Sequence, residues 1–258
     1  PSPMFSWSAK RKTLYTLAFV AAVLLFIAAP TTYILYRPPT CTDGKMNQAE
    51  QGVDCGGPCV NLCQEKELDP IVLWQRSFEV GPGAYNVIAY VQNPNLGSAA
   101  IQVPYIFRLY NSEHVLISER TGKVNLPPNK SLPVFEANVP SGKQIPARVS
   151  FEFRTKPYWV RQQSVFPDVR INNIVLSRED SRPLLNAEVT NKELIAYDRV
   201  PVVAILYDVD GNAVAASRTI LDSLEGQSSQ PVVFTWPKPF GVQISEKEIV
   251  PILMQADR

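Results

Sequence analysis

After residue 68 the chain matches itself at an offset of 97–98 residues, and this constrains what it folds into more than any other feature. Pro70 and Val72 meet Pro167 and Val169. The stretch 103–110 (VPYIFRLY) meets 200–207 (VPVVAILY), Arg120 and Thr121 meet Arg218 and Thr219, and 133–135 (PVF) meets 231–234 (PVVF). Matches held at so constant a spacing indicate a duplicated domain. Each copy reads as short strands between turns. AYNVIAYVQNP and PLLNAEVTN supply strands ending at Asn, VPYIFRLYN and VPVVAILYD a central apolar strand, and HVLISERTG and NAVAASRTI its hairpin partner. Polar turns at 126–131 (LPPNKS) and 224–230 (LEGQSSQ) lead to the strands around PVFEANV and PVVFTW. With 23 prolines against 19% charged residues the chain is ill suited to long surface helices, because proline removes a backbone donor and clashes with the preceding turn. The expected fold class is therefore mainly β: two tandem immunoglobulin-like β-sandwiches, neither holding a cysteine across its core.

Ahead of the repeats, residues 13–36 carry no formal charge and are bounded by Lys12 and Arg37. At about 1.5 Å per residue a helix of that length exceeds the ~30 Å hydrocarbon layer, and Tyr15, Tyr33 and Tyr36 lie near its ends, where amphipathic rings favour the interface. The competing reading is a cleaved signal peptide, whose apolar run is shorter and precedes a small-x-small site. Lys10, Arg11 and Lys12 set the orientation expected of an anchor, with the N-terminus cytoplasmic and residues 37–258 outside the cell membrane. Without those three, the 25 basic residues fall to 22 against 24 acidic ones, and no basic stripe suits nucleic acid.

All four cysteines, Cys41, Cys55, Cys59 and Cys63, fall between the span and the repeats. Their placement after an anchor suits an oxidising compartment and two disulfides, with three connectivities open. The pairing favoured is Cys41 to the glycine-rich end, leaving a second short-range bond. Structural zinc prefers two close pairs, which this spacing lacks. Between the cysteines lie Asp43, Asn47, Glu50 and Asp54, oxygen donors of the type calcium takes. The alternative is that they cap the module's own turns. The expected organisation is a cytoplasmic tail (1–12), a transmembrane helix (13–36), a Cys-rich juxtamembrane module (37–66), and sandwiches at 67–160 and 161–258.

Phe107-Arg108-Leu109-Tyr110-Asn111 and Ala204-Ile205-Leu206-Tyr207-Asp208 resemble the F-x-L-Y-D signature of the FxLYD family, related in fold to LEA14-like β-sandwiches. The first copy has Asn for the final Asp and the second Ala for the Phe. The resemblance implies an extracytoplasmic sandwich, commonly on a membrane anchor in bacterial envelope proteins, and no particular activity. The module's own pattern is similar to short modules of secreted and surface-anchored bacterial proteins and to thrombospondin type-3 calcium loops.

Little else points to chemistry. His114, the one histidine, falls in a hairpin turn as a surface residue, and 208–212 (DVDGN) reads as a turn rather than a calcium loop. Nucleophile elbows, phosphate loops and zinc-protease motifs are absent from the sequence. Phe151, Phe153, Tyr158, Trp159 and Phe166 gather at the junction of the repeats, and Trp236 lies in 235–240 (TWPKPF). Tyr158, Trp159 and Trp236 are candidate partner-binding anchors, with packing inside the sandwiches as the alternative. Asn129-Lys130-Ser131 fits an N-glycosylation acceptor. The function expected is that of a non-enzymatic, membrane-anchored protein that docks or presents another envelope protein, as an accessory or structural subunit of a larger complex. The alternative is a carbohydrate- or cell-wall-polymer-binding ectodomain using those aromatic rings.

Overall fold

In the computed structural model, which describes residues 7–35, 38–162 and 167–253, the apolar stretch is one helix, α1 (Trp7–Leu35). Lys10, Arg11 and Lys12 stand on its early turns, so the helix starts inside the stretch expected as a tail. Lys10–Thr31 is long and apolar enough to cross a bilayer, and none of it is buried against the chain. A helix apolar on every side needs an apolar surrounding. Pro30 lies inside the helix, where it lacks the N–H that would bond one turn back, and the Thr31 hydroxyl donates to the Ile27 carbonyl beside it. Tyr36, Arg37 and Phe166, used in the sequence reading, lie outside the described residues.

The chain forms two compact units, residues 1–59 and 60–258. Both sandwiches belong to the second. The first comprises β1 (Ile71–Gly81), β2 (Ala84–Asn93), β3 (Ser98–Tyr110), β4 (Leu116–Leu126), β5 (Lys130–Pro140), β6 (Arg148–Phe153) and β7 (Trp159–Arg161). The second comprises β8 (Val169–Ser177), β9 (Leu184–Asn191), β10 (Tyr197–Tyr207), β11 (Ala213–Leu224), β12 (Ser229–Thr235) and β13 (Glu246–Pro251). Antiparallel sheets β1-β2-β5 and β4-β3-β6 face each other in the first, with β7 added to β3; β8-β9-β12 and β11-β10-β13 face each other in the second. The two sandwiches share one strand order. Residues 60–62, near the end of the Cys-rich module, run beside β7: the Arg161 N–H donates to the Val60 carbonyl at 2.7 Å, and the Leu62 N–H to the Trp159 carbonyl at 3.4 Å.

The Asn that ends β2 and the one that ends β9 are fully buried and do the same work. Asn93 Nδ2 donates to the carbonyls of Ser98, Leu126 and Pro127, and its Oδ1 accepts the Asn95 N–H. Asn191 Nδ2 donates to the carbonyls of Ile195, Leu224 and Glu225, and its Oδ1 accepts the Glu193 N–H. Each amide ties the β2–β3 or β9–β10 turn to the end of β4 or β11, satisfying carbonyls that no strand reaches.

The sandwiches are stacked into four layers. Val87, Ala89 and Val91 of β2 face the first core, whereas Ile88 of the same strand faces the second sandwich. Likewise Val202, Ala204 and Leu206 of β10 face the second core, while Val203 and Ile205 turn back toward Ile88 and Phe135. Strands buried on both faces lose the alternation of a half-solvated strand, and the unbroken run Val202–Leu206 is that signature. In the first sandwich the positions corresponding to Ile205 and Ala216 are Arg108 and Glu119, which form an exposed ion pair at 2.7 Å. In the second, the positions corresponding to Ile88 and Tyr90 are Asn186 and Glu188. Each copy thus carries one apolar outer sheet face, the two apolar faces meet, and the remaining outer faces are polar, which ends the stack at two.

One sequence match shifts in register. Arg120 pairs with Phe107 across β4 and β3, but Arg218 pairs with Val203 across β11 and β10, so the two arginines are one residue out of step. A one-residue slip turns a strand's side chain to the other face. Arg120 approaches Glu136 of its own sandwich at 3.5 Å, whereas Arg218 crosses the interface to the Phe135 carbonyl at 3.0 Å.

Candidate functional site

In the first unit the Cys-rich module winds around its own carboxylates. Cys41 and Cys59 form a disulfide, Cys55 and Cys63 are also disulfide-bonded, and no cysteine is free. Cys41 is therefore tied to the glycine-rich end, as favoured from the spacing. Asp43, Asn47, Glu50 and Asp54 do come together. Asp54 accepts the N–H groups of Asp43 and Gly44 at 2.9–3.1 Å. Asp43 accepts from Lys45 N–H, Thr40 N–H and the Asn47 amide. Glu50, 5% exposed, accepts the N–H groups of Asn47 and Asp54 and lies 3.2 Å from the Cys59 sulfur. The carboxylates are directed at backbone donors, which is the turn-capping alternative, and the Asn47 amide followed by the Thr40 N–H holds the Asp43 carboxyl below its usual range. The Asn47 Oδ1 is enclosed without a protein partner. Cys41, Glu50 and Cys59 cluster as metal ligands do, but sulfurs joined in a disulfide are not thiolates and cannot ligate in that way. Gly57 allows the winding: a Cβ there would sit 2.2 Å from the Ala49 carbonyl oxygen.

The two tryptophans correct the sequence reading. Trp159 is 2% exposed and packs in the first core; Trp236 is 6% exposed and packs in the second, with Phe240 edge-on at 5.3 Å. Neither ring presents a face to a partner or a sugar, because closing the open ends of the cores takes large apolar side chains. Phe151 and Phe153 likewise join an aromatic cluster with Tyr105 and Phe107. Only Tyr158 of the proposed trio is exposed, at 58%.

Both hairpins after the F-x-L-Y-like segments are Asx turns. Asn111 Oδ1 accepts the N–H groups of Glu113 and Val115; Asp208 Oδ1 accepts those of Asp210 and Asn212. The left-handed position is His114 in one (φ 63°) and Gly211 in the other (φ 77°). Either Asn or Asp serves, since each offers the same acceptor oxygen. His114 and Asn129 are both exposed, on turns.

The polar chemistry that sequence reasoning missed lies between the sandwiches. Glu248 of β13 accepts from the Tyr90 hydroxyl of β2 and, at 2.7 Å, from the Tyr207 hydroxyl of β10. Trp74 stacks on Tyr90 at 5.4 Å and meets Tyr207 edge-on. Asn86 donates to the Ala216 carbonyl at 3.2 Å, and the Arg218 guanidinium lies over the Phe135 ring. Burial first, and the Glu248 hydrogen bond and charge next, push both tyrosines well above their ordinary value. A phenol with a raised folded-state pKa contributes stability that is complete below its unfolded pKa, about 10, and is lost as pH rises toward the folded value. Denaturant titrations at pH 9 and pH 11 are expected to show a loss between the two that is smaller in Tyr90→Phe/Tyr207→Phe; an equal loss in that variant would remove these hydroxyls as its source. The tandem copies signalled this interface only through the unbroken apolar run and the exchange of Arg108 for Ile205.

No family model and no curated protein matches the chain. Among solved structures, red sea bream transglutaminase is similar at TM-score 0.25 and 8% identity, over 75% of this chain and 32% of that one. A candidate beta-galactosidase from Bacteroides fragilis is similar at TM-score 0.21 and 13% identity, over 68% of this chain and 33% of that one. The chain spans about a third of the length of each, and likeness this distant carries no argument about activity.

Proposed function

We propose that the chain is a single-pass membrane protein, N-terminus cytoplasmic, whose disulfide-tied module and paired FxLYD-like sandwiches stand outside the membrane and dock or present a partner protein of the cell envelope. The shared strand order and the matched Asn93 and Asn191 support reading the sandwiches as an internal duplication. One observation carries the docking role: the sandwiches are fused sheet against sheet through Ile88, Phe135, Val203, Ile205 and Ala216. A flexible pair of modules suits a tether. A fused pair holds its surfaces and strand edges in fixed relation, which lowers the ordering cost of binding a large partner. Trp159 and Trp236 are core residues, which leaves Tyr158 as the one exposed ring of the three for the alternative polymer-binding role. Extraction of the full chain in mild detergent is expected to co-purify a stoichiometric partner protein; recovery of the chain alone at every detergent strength tried would sink the proposal.

A further inference from the structure

The first sandwich has an open side where β1, the edge of one sheet, faces β6, the edge of the other. Between them runs a groove of about 830 Å³, within the range of about 300–1,000 Å³ usual for ligand sites. Val72 and Val149 line it with Pro146 and Phe151, and its charged lining residues are Arg76 and Arg148. Both arginines are exposed, and among the described residues neither forms an ion pair. Arg148 is steadied over the Tyr110 ring at 5.8 Å. The lining contains no carboxylate.

The β6 edge already shows what it accepts. The Phe151 N–H points away from β3 and donates to the side-chain oxygen of Gln75, on β1, at 3.1 Å. By the two-residue period of a strand, the backbone groups of Val149 and Phe153 turn to the same side. Gln75 therefore stands where the carbonyl of a further strand would stand, one acceptor offered to one of several outward donors. An unpaired edge beside a trough is the setting for strand addition, in which backbone bonds supply affinity and alternate side chains supply specificity.

We propose that this groove takes an extended, acidic segment of the partner protein, added antiparallel or parallel to β6, with its carboxylates on Arg76 and Arg148 and its backbone carbonyl in the place of the Gln75 oxygen. The inference rests on the docking role proposed above and names the surface and the chemistry that perform it. No other charged group in the lining opposes an acidic strand, and a basic one meets two unpaired guanidiniums.

The test uses the full chain in detergent micelles and a fluorescein-labelled peptide of eight residues alternating valine and glutamate, read by anisotropy. Saturable binding is expected, at least about tenfold tighter than for the valine–lysine peptide, a gap of about 1.4 kcal/mol. N-methylation of alternate peptide amides is expected to abolish it, since strand addition needs the backbone. Arg76→Glu/Arg148→Glu should weaken binding at least about tenfold, while Gln75→Ala, which frees the Phe151 N–H, should tighten it. No saturable binding, equal binding of the acidic and basic peptides, or full binding of the N-methylated peptide overturns the groove proposal. Co-purification of a partner that survives Arg76→Glu/Arg148→Glu leaves the docking role standing and removes this groove from it.

Discussion

Replacing Ile205 by Asp is expected to split the unfolding of the paired sandwiches. Ile205 is fully buried in the layer between the sheets, beside Ile88, Phe135 and Ala216. The nearest polar groups of the interface are already engaged, Arg218 with the Phe135 carbonyl and Asn86 with the Ala216 carbonyl, so a carboxylate there enters an apolar cluster, and the cost of an unpaired buried charge is several kcal/mol even after water penetrates. The chain escapes most of that cost by parting the two sandwiches, since each keeps its own core, Leu109 and Val87 in one and Leu206 and Leu185 in the other. Calorimetry of the full chain in detergent should then replace one cooperative transition by two, the second sandwich melting at lower temperature. The control is Arg108→Ala at the corresponding position of the first sandwich, where the side chain makes ion pairs with Glu119 and Glu152 in solvent, and little change is expected. A single transition with an unchanged midpoint for Ile205→Asp would mean that the sheets do not stack as described.

The second large effect belongs to Asn93 and Asn191. Truncating Asn93 to Ala leaves the buried carbonyl of Leu126, and those of Ser98 and Pro127, without their donor, and the Asn95 N–H without its acceptor. At about 1–3 kcal/mol for each unsatisfied buried group, partly relieved by water at the turn, a loss of about 3–5 kcal/mol is expected. That is a large share of the ~5–15 kcal/mol that holds a domain. Asn93→Asp should fare no better, because it sets a carboxylate against three carbonyl oxygens. Asn191→Ala should cost the second sandwich a similar amount. Urea titrations measure both; a loss below about 1 kcal/mol for either would show the amide to be dispensable.

How much of this was legible in the sequence differs from element to element, for physical reasons. Helix α1 was plain because a long apolar run is a property of local composition. The strands around Leu109 and Leu206 were plain too, because alternation and turn residues are local. Both hairpin turns were expected, from Asp-Gly in one copy and from the matching place of His114 in the other; that an Asx oxygen holds each of them was not. The carboxylates of the Cys-rich module lie close together, while their orientation toward the amides of Gly44, Lys45 and Asn47 depends on how the disulfides fold the loop. The tryptophans were misleading because an aromatic ring that anchors an interface and one that closes a core look alike in one dimension.

The apolar stretch, the cysteine module, the mainly β class and the two matched sandwiches were readable along the chain, since each rests on short-range pattern or on a repeat. Three-dimensional packing was needed to stack the sandwiches sheet on sheet, to join Tyr90 to Tyr207 through Glu248, and to leave between β1 and β6 a groove whose two arginines form no ion pair among the described residues. Those features come from residues up to 158 positions apart along the chain, as with Tyr90 and Glu248, and no local pattern records which face of one strand will meet which face of another.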